Sequence, residues 1–138
     1  MNLLQVKEFM NTRPLIFKED SPLSSALDLI IGSKQIGGPV VNDMSKVVGI
    51  VTEKDLFQDL LKLTYHCQES RLIKDCMKTS FQYVGLYDGL MDVITKMEKF
   101  NAVIFPVIED GELIGTIGRR EILLAIKKQL SDGCQTPV

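Results

Sequence analysis

An α/β fold made of two copies of one β-α-β-β-α unit is predicted by three observations. The chain repeats itself at a fixed offset, each copy alternates strand-period and helix-period apolar patterns, and turn residues separate those patterns at matching places. The repeat is the strongest of the three. Val6-Lys7-Glu8-Phe9-Met10-Asn11-Thr12 matches Ile73-Lys74-Asp75-Cys76-Met77-Lys78-Thr79 at an offset of 67 residues. Ser21-Pro22-Leu23 matches Asp88-Gly89-Leu90, and Pro39-Val40-Val41 matches Pro106-Val107-Ile108, both at the same offset. Gly49-Ile50-Val51 matches Gly115-Thr116-Ile117 at 66, so one residue is lost between Val41 and Gly49, in turn sequence where a deletion is cheap.

Each copy opens with a short amphipathic lead-in, carrying Val6, Phe9 and Met10 in the first. A brief extended segment follows, Leu15-Ile16-Phe17 or Phe81 to Val84. Next comes a helix. Ser21 is the expected N-cap and Pro22 the first helical residue, with Leu23, Ala26, Leu27 and Ile30 as one apolar stripe. In the second copy Asp88 is the expected cap, and Leu90, Val93, Ile94 and Met97 form the stripe. Two strands follow, Pro39–Val41 and Val47–Val51, then Val103–Ile108 and Leu113–Ile117, with hairpin signals around Asp43 and Gly111. A helix closes each copy, its stripe formed by Leu56, Phe57, Leu60 and Leu61 in the first and by Ile122, Leu123 and Ile126 in the second. The expected boundaries are repeat 1 at 1–63, a linker at 64–71, repeat 2 at 72–130 and a disordered tail at 131–138. A copy of roughly 60 residues is at the edge of independent stability. Two copies packed sheet to sheet about a pseudo-twofold axis would bury both sheets and leave clefts suited to small molecules.

Composition narrows the function. The chain has 138 residues, 45% apolar and 25% charged, with a net charge of −2, so nothing electrostatic points to nucleic acid. No stretch approaches the roughly 20 apolar residues of a membrane span. Lys7, Glu8 and Arg13 interrupt the opening segment, which therefore does not read as a signal peptide. Cys67, Cys76 and Cys134 are expected to be free thiols in a reducing, cytoplasmic setting. His66 is the one histidine, so a histidine-dependent triad or a multi-histidine metal site is not expected. His66-Cys67 has no partner at tetrahedral spacing and reads as linker.

The doubled unit, each copy with a Pro-Val-[Val/Ile] strand, a Met-x-Thr lead-in and a glycine-started strand running into an acid-bearing helix start, resembles a pair of CBS domains. The resemblance covers about Val6 to Leu130. It implies a regulatory module, not an enzyme, that binds an adenosine compound such as AMP, ADP, ATP or S-adenosylmethionine. No cofactor and no metal are implied beyond that ligand. It also implies a homodimer made through helices, starting at Ser21 and Asp88 or at Thr52 and Gly118, and an effector protein of unknown identity. The other possibility is a ligand-free dimerisation module.

In ligand-binding members a Gly-φ-x-[Thr/Ser]-x-x-Asp motif does the polar work, the hydroxyl meeting a phosphate and the acid accepting from ribose hydroxyls. The first copy has it whole, Gly49-Ile50-Val51-Thr52-Glu53-Lys54-Asp55. The second, Gly115-Thr116-Ile117-Gly118-Arg119-Arg120-Glu121, lacks the hydroxyl and lengthens the acid. From the residues alone, Thr52 and Asp55 equally suit a capping box. Lys54, Arg119 and Arg120 sit in first helical turns, against the helix dipole, where an anion would compensate. Ile16, Gly38 and Pro39 map to the walls of the base pocket; Gly37 and Gly38 suit either a close-approaching ring or a tight strand entry. Phe105 stands where the first copy has Gly38, and either stacks on a base or fills the second pocket, making that site the expected vacant one.

Overall fold

The computed structural model describes residues 4–66 and 71–132; the side chains of Leu60 and of residues 63–66 are outside that description. The elements run α1 (Val6–Phe9), β1 (Phe17–Lys18), α2 (Leu23–Ser33), β2 (Gly37–Val41), β3 (Val47–Thr52), α3 (Glu53–His66), a 3-10 turn (Ile73–Asp75), α4 (Leu90–Lys99), β4 (Ile104–Glu109), β5 (Glu112–Gly118) and α5 (Arg119–Ser131). The α/β class and the doubling are as the repeat predicts; the first copy has the full β-α-β-β-α order, and in the second the strand expected at Phe81 to Val84 is reduced to a single parallel bridge of Val84 with Val107.

The compact units in space are not the two sequence repeats. Of the described residues, one unit gathers 4–12 with 82–110 and 114–132; the other gathers 13–66 and 71–81 with Gly111–Leu113. Each lead-in thus packs with the other repeat's strands and helices. We call them the second-repeat unit and the first-repeat unit.

In the first-repeat unit, β1 pairs parallel to β2 and β2 antiparallel to β3. The register slips between Val40 and Val41, so that Val40 faces Gly49 and Val41 faces Val47. The core of this unit joins Leu15, Phe17, Leu23, Ala26, Val40, Val51 and Leu56 to Ile73, a lead-in residue from the second repeat with no exposed surface. In the second-repeat unit β4 pairs with β5. Its core joins Val84, Leu90, Val93, Met97, Phe105, Val107, Ile117, Ile122 and Ala125 to Val6, likewise wholly buried. Val6 and Ile73 are the matched residues of the two lead-ins, so the exchange is symmetrical.

The main chain repeats that symmetry. Lys78 exchanges two hydrogen bonds with Ile50, its N–H donating at 2.9 Å and its carbonyl accepting at 2.9 Å. Asn11 does the same with Thr116, at 2.7 and 3.1 Å. Both lead-ins therefore add an antiparallel bridge at the sheet edge, beside β3 in one unit and β5 in the other. This accounts for proline in mid-strand. Pro39 faces Ile50, whose polar groups turn to Lys78, so the missing proline N–H leaves no ladder bond unmade. The glycines of the repeated motif have the same origin. A Cβ on Gly49 would lie 2.9 Å from the Lys78 oxygen, and one on Gly115 would lie 2.6 Å from that of Asn11.

The exchange also corrects the expected helix starts. Pro22 and Gly89 occupy the N-cap positions, and neither helix has a side-chain cap. The Leu23 N–H donates to the Arg71 oxygen and the Leu90 N–H to the Leu4 oxygen, both at 2.9 Å, so lead-in backbone does what Ser21 and Asp88 were expected to do. The Asp88 carboxylate instead accepts from the Gly85 N–H.

Two other expectations change. Helix α3 runs to His66, into the expected linker, and α5 runs to Ser131, into the expected tail. Residues 67–70 and 133–138, with Cys67 and Cys134, lie outside the described residues. In the closing helices, Leu56 and Ile122 are buried, but Phe57, Leu61, Leu123 and Ile126 face outward. One strand of apolar residues meets the core on each helix, and the other half of the expected stripe does not.

Candidate functional site

Six of the eight sequence-predicted site residues fall in the first-repeat unit. Pairing of β2 with β3 sets Gly37 opposite Thr52, Gly38 opposite Val51 and Pro39 opposite Ile50. Leu15 closes on Gly38 so tightly that a Cβ there would lie 2.0 Å from the Leu15 oxygen. That contact brings the neighbouring Ile16, whose side chain is exposed, to the same edge of the sheet. The close approach that Gly38 permits is therefore made by the chain's own backbone. Gly37 is held likewise, a Cβ there meeting the Val51 oxygen at 2.3 Å.

Strand β3 ends at Thr52 and α3 begins at Glu53. The reciprocal cap is formed. Asp55 Oδ2 accepts from the Thr52 N–H and from the Thr52 hydroxyl, both at 2.9 Å, and the Asp55 N–H donates to Thr52 Oγ1 at 3.4 Å. Asp55 is 7% exposed, and with Thr116 it is one of two buried polar residues among the described residues. Only one of its oxygens is used by the cap. The other, Oδ1, faces the Lys78 ammonium at 3.6 Å. The single hydroxyl proton of Thr52 is already committed to Asp55, so a phosphate contact from that hydroxyl needs its rotor to turn away. Lys54 is exposed in the first turn of α3.

Arg119 and Arg120 belong to the other unit, exposed at the start of α5. There the junction is a reduced copy of the first. The Gly118 N–H donates to Glu121 Oε1 at 2.7 Å, so the longer acid still caps, but no hydroxyl joins it. Phe105 settles the choice left open for it: at 1% exposure it fills the core of the second-repeat unit. The Lys96 ammonium lies 5.8 Å from that ring and from the Tyr83 ring, and donates to the Tyr83 oxygen at 2.5 Å. Tyr83 is the counterpart of Ile16, so a lysine and two aromatic rings stand in the second-repeat unit where the first has Ile16 and Gly38.

Beneath α3, Arg71 pairs with Asp59 at 2.8 Å and also donates to the Asp75 oxygen. Half-buried Cys76 stands beside them. Burial first, and then a hydrogen bond to Asp59, push its thiol up to about 12. Such a thiol is a packing residue and not a nucleophile. Among the described residues no group of His, Cys, Asp and Glu could hold a metal ion. No helix among them is long and apolar enough to cross a membrane.

Sequence reasoning missed Lys78. Its repeat-mate is Asn11, and nothing in the spacing shows that lead-ins are exchanged. The one available signal was the pair of mid-strand prolines, which imply that the facing residues bond elsewhere.

The family model for the CBS domain matches residues 6–62 and 73–128. The chain belongs to the CBS domain family, as a tandem pair. It is 30% identical to the A-adding tRNA nucleotidyltransferase of Aquifex aeolicus over 92% of its own length, and it spans 15% of that protein. Uncharacterized protein MJ1225 of Methanocaldococcus jannaschii is 26% identical over 81% of the chain, which spans 39% of that protein. Among solved structures, CBSX2 in complex with AMP superposes with a TM-score of 0.76 at 28% identity, covering 90% of this chain and 96% of that one; CBSX2 is a CBS-pair protein of Arabidopsis thaliana. The CBS domain pair of protein MJ0100, solved with 5′-methylthioadenosine and S-adenosyl-L-methionine, gives 0.81 at 21% identity over 93% and 99%, a likeness of fold.

Proposed function

We propose that this CBS pair is a non-catalytic cytoplasmic sensor that binds an adenine nucleotide at the first repeat and signals its presence to a partner protein. The observation that carries the reading is Asp55, a buried carboxylate with one oxygen held by the cap and the other available to a donor. A ribose hydroxyl is such a donor. Ile16, Gly38 and Pro39 stand at the same sheet edge and would wall the base. The 28% identity to CBSX2, which was solved with AMP, supports the ligand class. With Phe105 in the core and no hydroxyl at Gly118, the matching position of the second repeat takes no ligand. The resemblance also assigns Lys54, Arg119 and Arg120 to phosphate, and charge reversal of each tests that assignment singly. Signalling requires that the ligand bind two conformations with different affinity.

A second copy of the chain is the proposed partner in assembly. Of the two helix pairs that the sequence offers, the exposed apolar residues favour α3 and α5: Phe57 and Leu61 on the first, Leu123, Leu124 and Leu130 on the second, each more than half exposed. A ligand-free dimerisation module is the second reading, favoured by the Thr52 hydroxyl being fully engaged in the cap.

Thermal unfolding of the purified protein with millimolar AMP, ADP, ATP or S-adenosylmethionine separates the two. A ligand at about 100 times its dissociation constant stabilises by roughly 2.7 kcal/mol, a shift of several degrees. Such a shift, lost in Asp55→Asn, supports the sensor; no shift with any of the four supports the ligand-free module.

A further inference from the structure

We infer that Lys78 is a further ligand-contacting residue, which makes the first-repeat site select phosphorylated over uncharged nucleosides; this rests on the nucleotide reading above. The position of Lys78 is fixed by its backbone. Two hydrogen bonds of 2.9 Å clamp it to Ile50, and the absence of a Cβ on Gly49 lets it come that close. From this anchor the side chain reaches Asp55, placing the ammonium 3.6 Å from Oδ1, the carboxylate oxygen that the cap does not use.

The pair is unequal. The Asp55 side chain is 7% exposed and that of Lys78 is 66% exposed. An ion pair with one end in water and no closer approach contributes little to stability, so the lysine is not needed there to hold the fold. What it does supply is charge. A buried carboxylate repels an arriving phosphate, and the Lys78 ammonium cancels that repulsion at the oxygen where the ribose docks. When a ribose hydroxyl donates to Oδ1, the flexible four-carbon stem lets the ammonium turn to the phosphate while its backbone stays bonded to Ile50. The other unit has no such arrangement. Its acid is Glu121, and the matched lead-in residue is Asn11, which carries no charge. The basic residue thus accompanies the copy with the whole Gly-φ-x-Thr-x-x-Asp motif. It arrives there only because the lead-ins are exchanged.

The test is titration calorimetry of wild type, Lys78→Met and Lys78→Arg with AMP and with adenosine, at low and raised salt. Wild type is expected to prefer AMP. Lys78→Met is expected to lose about tenfold in AMP affinity, the worth of one charge-assisted hydrogen bond, with adenosine affinity unchanged. Lys78→Arg is expected to keep the preference, and salt is expected to weaken AMP binding less in Lys78→Met than in wild type. An unchanged melting midpoint for Lys78→Met shows that the fold is intact. Equal changes for AMP and adenosine, or no change for either, overturn the inference. A wild type that binds neither compound fails earlier and differently, overturning the nucleotide reading and this inference with it.

Discussion

The two units are built to one plan and differ where a ligand would sit. Both bury one lead-in residue from the other repeat, both clamp the lead-in to the last strand, β3 or β5, and both start the helix before the hairpin, α2 or α4, on lead-in backbone. At the site edge they part. The first-repeat unit has glycine at 38, a hydroxyl at 52 and a short buried acid at 55; the second has Phe105, Gly118 and Glu121. Where one copy has a core ring, the other has a glycine packed against the Leu15 backbone. Duplication therefore preserves the features that hold the exchanged lead-ins, because each is a main-chain or core contact that both units need. Side chains at the site edge meet different demands in the two units, Phe105 filling a core where Gly38 admits the Leu15 backbone.

Five substitutions or treatments break or sharpen this comparison. Phe105→Ala should cost about 3–5 kcal/mol, the usual cost of removing a buried ring, measured by chemical denaturation. The counterpart change Gly38→Ala should also destabilise, for the opposite reason: its Cβ would lie 2.0 Å from the Leu15 oxygen, so β1 must move. If either is tolerated, the two positions are not fixed in the way described.

Ile73→Ala should cost about 2–5 kcal/mol. Its informative readout is location. Amide exchange should rise in Gly37–Val41 and Val47–Thr52, the strands of the first repeat, although Ile73 belongs to the second. A rise confined to β4 and β5 would refute the exchange.

Thr52→Ala should cost about 1 kcal/mol through loss of the cap hydroxyl. The second-repeat unit, with glycine at that place, already lacks it. A change below a few tenths would mean that the Asp55 to N–H bond alone suffices.

Cys76 should resist alkylation at pH 8.5 in the folded protein and react once the chain is unfolded, read by mass spectrometry of the peptide. Its pKa rises from an ordinary 9.0 to about 12 on folding. Between those values the unfolded chain has lost the proton and the folded chain has kept it, so this group's contribution to stability falls as pH climbs from 9 towards 12. Rapid labelling at pH 8.5 would contradict the burial that sets the shift.

Much of the fold was legible in the sequence, because a doubled pattern with matched offsets constrains every element twice. Helix positions and the two hairpins followed from apolar period and turn residues, whereas the segment expected as a strand at Phe81 to Val84 makes only the Val84–Val107 bridge. What escaped was partnership. Local periodicity describes which face of an element is apolar, not which repeat supplies its neighbour. Ser21 and Asp88 have the chemistry of caps, yet the Arg71 and Leu4 carbonyls reach the helix N–H groups first. Phe57 and Leu123 follow helical period, yet they are exposed while Leu56 and Ile122 turn to the core. At the site, Thr52 and Asp55 were legible as a pair from a motif that serves capping and binding alike. Lys78 was not, since its place beside Asp55 depends on a contact between residues far apart in sequence.

The central claim, that one copy of the plan keeps a ligand site and the other has closed it, is tested most directly by counting sites. Calorimetric titration with AMP should give one site per chain in wild type. Binding should be lost in Asp55→Asn, which keeps a cap acceptor but puts an amide donor where Oδ1 must accept, and retained in Glu121→Gln. Two sites per chain, or loss in Glu121→Gln with binding retained in Asp55→Asn, would contradict it.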